Sequence, residues 1–159
     1  MTILWLFLLL ALANGTPVIA HRLLRQRWNA PVDGGRLWRD GRPILGKSKT
    51  WRGLVVGITS CALLSLVTGF GALFGALFGT LALLGDLVSS FIKRRCGLAQ
   101  SARATGLDQL PEAIVPMLFA AVWLSLEWLE ALVPVVVFVA ANMAISPLLF
   151  RLGIRKQPH

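Results

Sequence analysis

Histidine and cysteine are nearly missing from this 159-residue chain, with two of each, and the shortage removes whole classes of chemistry. Cys61 and Cys96 show no C-x-x-C spacing and have no nearby histidine in sequence, so neither a zinc site nor a disulfide is suggested. His21 and His159 stand alone, which argues against a histidine general base or a Ser-His-Asp arrangement. Charge is scarce too: 14% of residues are Asp, Glu, Lys or Arg, against 56% hydrophobic, and the mean hydropathy is +0.71. That composition leaves no room for a soluble domain and describes a polytopic membrane protein. The chemistry must therefore run on carboxylates, cationic side chains, hydroxyls and metal.

Apolar segments at 2–20, 53–69, 71–92, 111–126 and 132–150 each approach the roughly 20 residues a spanning helix needs. The run from 53 to 92 must be two helices, because 40 residues rising about 1.5 Å each make about 60 Å, twice the hydrocarbon thickness. Thr68-Gly69-Phe70-Gly71 supplies the break. The expectation is an all-α integral membrane protein, a single domain built as a bundle of about five transmembrane helices. Loops 21–52 and 93–110 lie between the spans.

Of the 16 Lys and Arg, nine lie in 21–52, four in 93–103 and three in 151–156, all on one side of such a bundle. The positive-inside rule puts those loops in the cytoplasm, with the N-terminus outside, the C-terminus inside, and Glu127 and Glu130 in a short outer loop. The setting is a multi-pass protein of the cytoplasmic membrane. Net charge +9 could suggest nucleic acid, but topology and anionic headgroups account for it, so no nucleic-acid partner is expected. The first helix lacks a basic segment ahead of it and reads as a retained anchor.

Polar residues inside spans carry the most information, because hydrocarbon offers them no water. Asp86 is the only charge between Gly53 and Ile92, and a carboxylate there costs several kcal/mol unless a cation or partner neutralises it, so it marks a functional site or a structural pair with Lys93 or Arg94. A second isolated acid follows in Leu107-Asp108-Gln109-Leu110. Asn14, beside Gly15 and Pro17 where the first helix is loosened, reads equally as a site residue or as interhelical glue; Asn142 reads as glue. Gly71, Gly75 and Gly79 form a face for close helix approach, with a neighbour either in the same chain or in a second subunit of a homodimer.

The loop from Pro31 to Gly53 is dense in glycine, cations and tryptophan and has turn chemistry. Gly41 to Ser48 match G-x-x-x-x-G-K-[ST], yet that motif needs a buried strand before it, and Arg36-Leu37-Trp38-Arg39-Asp40 is not one. A phosphate role can survive without the P-loop fold. Gly46, Lys47, Ser48, Lys49 and Thr50 lead into the second span, where a helix N-terminus favours an anion; the plainer alternative is a charge run against lipid headgroups. A cationic glycine loop, two isolated carboxylates and Lys93-Arg94-Arg95 thus meet at one membrane surface. Cations bind phosphates, carboxylates hold the metal bridging them, and Mg²⁺ suits such oxygen ligands. Phosphoryl or nucleotidyl transfer then needs mainly positioning and charge neutralisation.

These segments resemble the CDP-archaeol synthases, relatives of the CDP-diacylglycerol synthases, which transfer CMP from CTP to a lipid phosphate. The likeness is carried, in family order, by Asn14-Gly-Thr-Pro17-Val18, Pro31-Val-Asp33-Gly34-Gly35, Asp40-Gly41-Arg42, Gly46-Lys-Ser-Lys49-Thr50-Trp51-Arg52-Gly53, Gly85-Asp86 through Ser90-Phe91-Ile92-Lys93-Arg94-Arg95, and Leu107-Asp108-Gln109-Leu110. The resemblance implies that Asp86 and Asp108 hold Mg²⁺, with Lys93 beside them in catalysis. It implies that Asn14, Lys47, Lys49, Thr50, Arg52, Ser90 and Arg94 bind CTP and the lipid phosphate. Where many family members carry an acid directly after the Leu-Asp-Gln-Leu block, this chain has Pro111 and then Glu112, one helical turn from Asp108.

Two rivals fit less well. A CDP-alcohol phosphotransferase would need acids downstream of Asp33-Gly34 that are missing. A small ion transporter using Asp86 predicts midplane carboxylates and inverted repeats, whereas Asp86 lies one or two turns from the cytoplasmic end of its span and no repeat is visible.

Overall fold

The computed structural model describes residues 1–99 and 108–151, with side chains as far as 144. Five helices follow in order: α1 (Thr2–Leu24), α2 (Trp51–Val67), α3 (Ala72–Arg95), α4 (Leu110–Leu124) and α5 (Trp128–Arg151). By length and composition, α1 and α3 can cross a bilayer, while α2, α4 and the described part of α5 are shorter apolar helices. Loop residues 100–107, which include Arg103 and Leu107, lie outside the described residues, as do 152–159 with His159.

The helix ends differ from the apolar runs for identifiable reasons. α2 starts at Trp51 because Thr50 caps it, its hydroxyl accepting from the Gly53 N–H at 3.2 Å. α3 runs on through Lys93, Arg94 and Arg95, three cations suited to the negative end of the helix dipole. It closes on Gly97 at φ +73°, with Leu98 N–H donating to Lys93 O and Gly97 N–H to Arg94 O, the paired bonds of a Schellman stop. α5 begins at Trp128, not 132, since Glu130 sits in its first turn and reaches back to accept from the Glu127 N–H. α2 and α3 part at the expected break, where Gly69 and Gly71 take φ of +85° and +89°.

Packing is inside-out relative to a soluble bundle. α2 buries a stripe of Gly53, Gly57, Cys61 and Ser65 and exposes Val55, Leu63, Leu66 and Val67. The glycine face of α3 meets that stripe within the same chain: a Cβ at Gly75 would stand 2.3 Å from Cys61 O, and one at Gly79 would stand 3.0 Å from Cys61 Cβ. Gly57 lets α1 approach equally closely, since its missing Cβ would lie 3.0 Å from Ala13 O, a carbonyl whose helical donor is lost at Pro17. The apolar core sits toward the start of α3, where Phe74 and Phe78 pack with Leu6, Leu9 and Leu10 of α1 and with Met117 of α4. Phe74 also stacks on Phe119. The polar groups gather at the other end of α3.

Candidate active site

The segment between α1 and α2 is long but folded on itself. Asp33 organises it: one carboxylate oxygen accepts from the N–H groups of Leu45 and Gly46 at 2.8 and 3.0 Å, and the other from Gly35 at 2.9 Å. Partial burial opposes ionisation, yet those N–H bonds win and hold the Asp33 carboxyl below its ordinary value. Gly34 and Gly35 take φ of +60° and +73°, which allows the chain to curl around the carboxylate. Bonds from Val32 N–H to Lys49 O and from Trp51 N–H to Ala30 O tie the two ends of the loop together. Lys49 is thereby fixed just before α2, pointing at α3.

It reaches Asp86. Both carboxylate oxygens accept from the Lys49 ammonium, at 2.7 and 2.6 Å. The sequence offered Lys93 or Arg94 as the partner of Asp86; the structure instead pairs Lys93 with Asp108 at 2.8 Å. Spacing explains the exchange: Asp86, Ser90, Lys93 and Arg94 recur at helical intervals on one side of α3, with Ser89, Ser90 and Arg94 buried. Loop and α4 complete that row from opposite flanks.

Gly85 allows α4 to complete it. A Cβ there would lie 2.3 Å from Pro111 O and 2.8 Å from Glu112 Cα, so the first turn of α4 rests directly on the α3 backbone. This seats Glu112, which is buried, among Asp86, Asp108, Lys49 and Lys93, the charges that act on it. Arg94 is buried, within the electrostatic influence of Asp108, and donates to Ala99 O at 3.0 Å. The result is a compact cluster of alternating charge. The paired side chains keep 12 to 25% of their surface exposed, so the pairs are largely but not fully buried. The signal for Glu112 in the sequence was its spacing from Asp108; its burial beside Asp86 comes from the close approach at Gly85.

Other residues singled out in the sequence have different surroundings. Arg52 is buried in the first turn of α2, not exposed on the loop, and its guanidinium donates to Arg25 O, Arg27 O, Asn29 Oδ1 and His21 Nδ1. It ties down the chain leaving α1, and His21 is not solitary. Thr50 is committed as the cap of α2, and with Trp51 N–H also bonded, little of that helix end is left open to an anion. The amides of Asn14 and Asn142 donate within their own helices, to Leu10 O and Phe138 O, so neither amide nitrogen bridges helices. Lys47 is exposed on the turn before Lys49. No strand precedes Gly41, and the Walker-type letters 41–48 run through turns.

The donor set suits a hard divalent ion. Mg²⁺ is usually held by one or two carboxylates together with substrate phosphates, and Asp86 and Asp108 offer that complement. Among the described residues no three His, Cys, Asp or Glu side chains form a self-sufficient metal site.

A family model described as CarS-like CDP-archaeol synthase matches residues 1–159. The chain belongs to the CDP-archaeol synthase family. Among curated relatives, the CDP-archaeol synthase of Thermococcus kodakarensis is 40% identical over 129 residues, covering 73% of this chain and 71% of the relative. That of Pyrobaculum aerophilum is 33% identical over 151 residues, covering 92% and 90%. A solved structure, described as an intramembrane enzyme for archaeal membrane lipids biosynthesis, superposes with TM-score 0.71 at 29% identity over 89% of this chain and 90% of that one. Membership in the CDP-archaeol synthase family makes the chain a membrane-bound enzyme, a CTP-dependent lipid cytidylyltransferase. The transporter alternative is not favoured.

Proposed function

We propose that the chain transfers CMP from CTP to an archaeol-type lipid phosphate, releasing pyrophosphate, at the cluster of Lys49, Asp86, Lys93, Asp108 and Glu112. One observation carries the placement: Gly85 has no side chain, so α4 closes onto α3 and sets acids and lysines side by side. The relatives' name supplies the lipid class.

In the structure each of the two ammonium groups is paired with a carboxylate. Lys49 and Lys93 would turn to the triphosphate of CTP, and Asp86 and Asp108 are the residues that would then hold Mg²⁺. The exchange keeps the cluster near neutral and makes a nucleotide with its cation a better ligand than either alone. A Mg²⁺ held there would supply charge neutralisation for the leaving pyrophosphate. Arg94, buried one turn beyond Ser90, adds a fixed positive charge on the same side. The lipid phosphate is ionised at neutral pH and attacks the α-phosphorus of CTP without a general base, which fits a site with no histidine. Its phosphate oxygen forms the new P–O bond while the bond to the β-phosphate oxygen breaks.

We place this site on the cytoplasmic face, where CTP is made. The support is the positive-inside rule, since the cationic loop and the last turn of α3 lie at one end of the bundle. Purified protein given labelled CTP, Mg²⁺ and a panel of lipid phosphates tests the reading. CDP-lipid and pyrophosphate should form in equal amounts, with ether-linked archaeol-type acceptors preferred. Formation of CDP-lipid only from phosphatidic acid would overturn the acceptor, and no labelled lipid from any acceptor would overturn the reaction.

A further inference from the structure

The short hairpin at the tip of the loop is clasped to the end of α3, and the proposed mechanism leaves that clasp without a task. Trp38 N–H donates to Arg42 O and Ile44 N–H to Arg36 O, closing a hairpin whose turn carries Asp40 and Gly41. Arg95 reaches up from the last turn of α3 into it. Its guanidinium bonds Asp40 Oδ1 at 2.5 Å and Pro43 O at 2.5 Å, and lies over the rings of Trp38 and Phe91 at 5.9 and 5.1 Å. The two rings meet edge to face at 5.4 Å. In return Arg42 donates to Arg95 O at 2.8 Å, and its guanidinium fills the space where Gly97 would carry a Cβ, 3.0 Å away. Gly97 therefore serves both the helix stop and the clasp.

A single exposed ion pair contributes under about 1 kcal/mol, but here one planar guanidinium takes an acid, a carbonyl and two ring contacts together. A lysine cannot copy that geometry.

We propose that Arg95 is a positioning residue for nucleotide binding: by clasping the 38–43 hairpin it fixes the loop that carries Lys49 to Asp86. The mechanical path is short. Pro43 is two and three residues from Leu45 and Gly46, whose N–H groups are held by Asp33, and Lys49 N–H donates to Gly46 O. Without the clasp, the hairpin is tied to the rest of the loop only through the chain and the Asp33 bonds to Leu45 and Gly46, and Gly41 and Gly46, both at positive φ, let it swing. CTP must then restore that order on binding, a cost that raises the apparent KM while leaving kcat, measured after the loop is ordered, nearly unchanged.

The inference rests on the proposed CTP site, so the test has an arm that does not. In full-length protein in lipid nanodiscs, Arg95→Gln, Arg95→Lys and Asp40→Asn are compared with wild type. All three should speed amide exchange at 36–46 and raise the apparent KM for CTP by about fivefold or more, with kcat within about twofold and Tm little changed. Arg95→Gln combined with Asp40→Asn should raise KM no further than Arg95→Gln alone, as expected for groups acting as one unit. Asp40→Asn, on an exposed turn, carries the test if an Arg95 variant fails to fold. Faster exchange with unchanged KM, or a lowered Tm with unchanged KM, would overturn the proposal. A wild-type protein that clasps its loop but does not use CTP would instead fault the functional reading.

Discussion

Asp86 and Asp108 are each neutralised by a lysine from a different element, so removing one charge has two separable effects. Asp86→Asn and Asp108→Asn keep shape but lose the charge a divalent ion needs, and each should abolish turnover; the double change should cost little more, because residues of one unit are strongly non-additive. CDP-lipid formation and Tm measured on the same samples check this, since a purely structural pair gives lowered Tm with residual activity in whatever folds. Lys49 and Arg52 separate in the same way. Lys49→Ala should raise the apparent KM for CTP by about tenfold or more with the fold intact, as it removes the proposed phosphate contact from a folded loop. Arg52→Ala should act on stability, by about 2–4 kcal/mol, because it strips donors from Arg25 O, Arg27 O, Asn29 and His21 at the end of α1. Thermal unfolding of the pair in one detergent tells them apart.

At the scale of helices, glycines decide how near the charged groups of α3 and α4 come. Gly85→Ala would drive a methyl into Pro111 O, and α4 must retreat or tilt to accept it. The expected loss of stability is about 1–3 kcal/mol, and activity should fall by about 10²-fold because displacement of even 1 Å at a positioned site is expensive. Gly15→Ala in α1 is the control: nothing lies within 4 Å of its Cβ position and its φ is ordinary, so stability and turnover should be unchanged or slightly improved. Equal damage from both substitutions would show that helix flexibility, not close approach, is what Gly85 provides. The recurrence of Gly75 and Gly79 was legible in the sequence, but their neighbour was not. Small residues permit close packing without naming a partner, and only the fold puts them against Cys61 and Ser65 of α2.

Over the whole molecule, charge and aromatic residues mark two ends. The loop side carries exposed Trp28, Trp38 and Trp51 among the cations, and the opposite end exposes Trp123 and Trp128 near Glu127, an arrangement suited to two interfaces with apolar helix faces between them. An impermeant thiol reagent applied to intact cells should leave Arg39→Cys unlabelled and modify Glu127→Cys, each in a background lacking Cys61 and Cys96. Labelling at position 39 from outside would invert the topology and remove the site from cytosolic CTP.

Helix number, the break at Gly69–Gly71, the cationic loop and the isolated acids Asp86 and Asp108 were determined by the sequence alone, because hydropathy, turn chemistry and the cost of a buried charge act locally along the chain. Pairing was not local. Lys49 joins Asp86 across 37 positions, and Lys93 is drawn to Asp108, because α2, α3 and α4 meet where glycines allow it. The same holds for Arg52, which the resemblance put among the substrate-binding residues, and for Arg95, which the sequence left as one cation of a cluster. The tertiary structure commits one to the end of α1 and the other to the hairpin, since a guanidinium's role is set by which carbonyls, carboxylates and rings the fold brings within its reach.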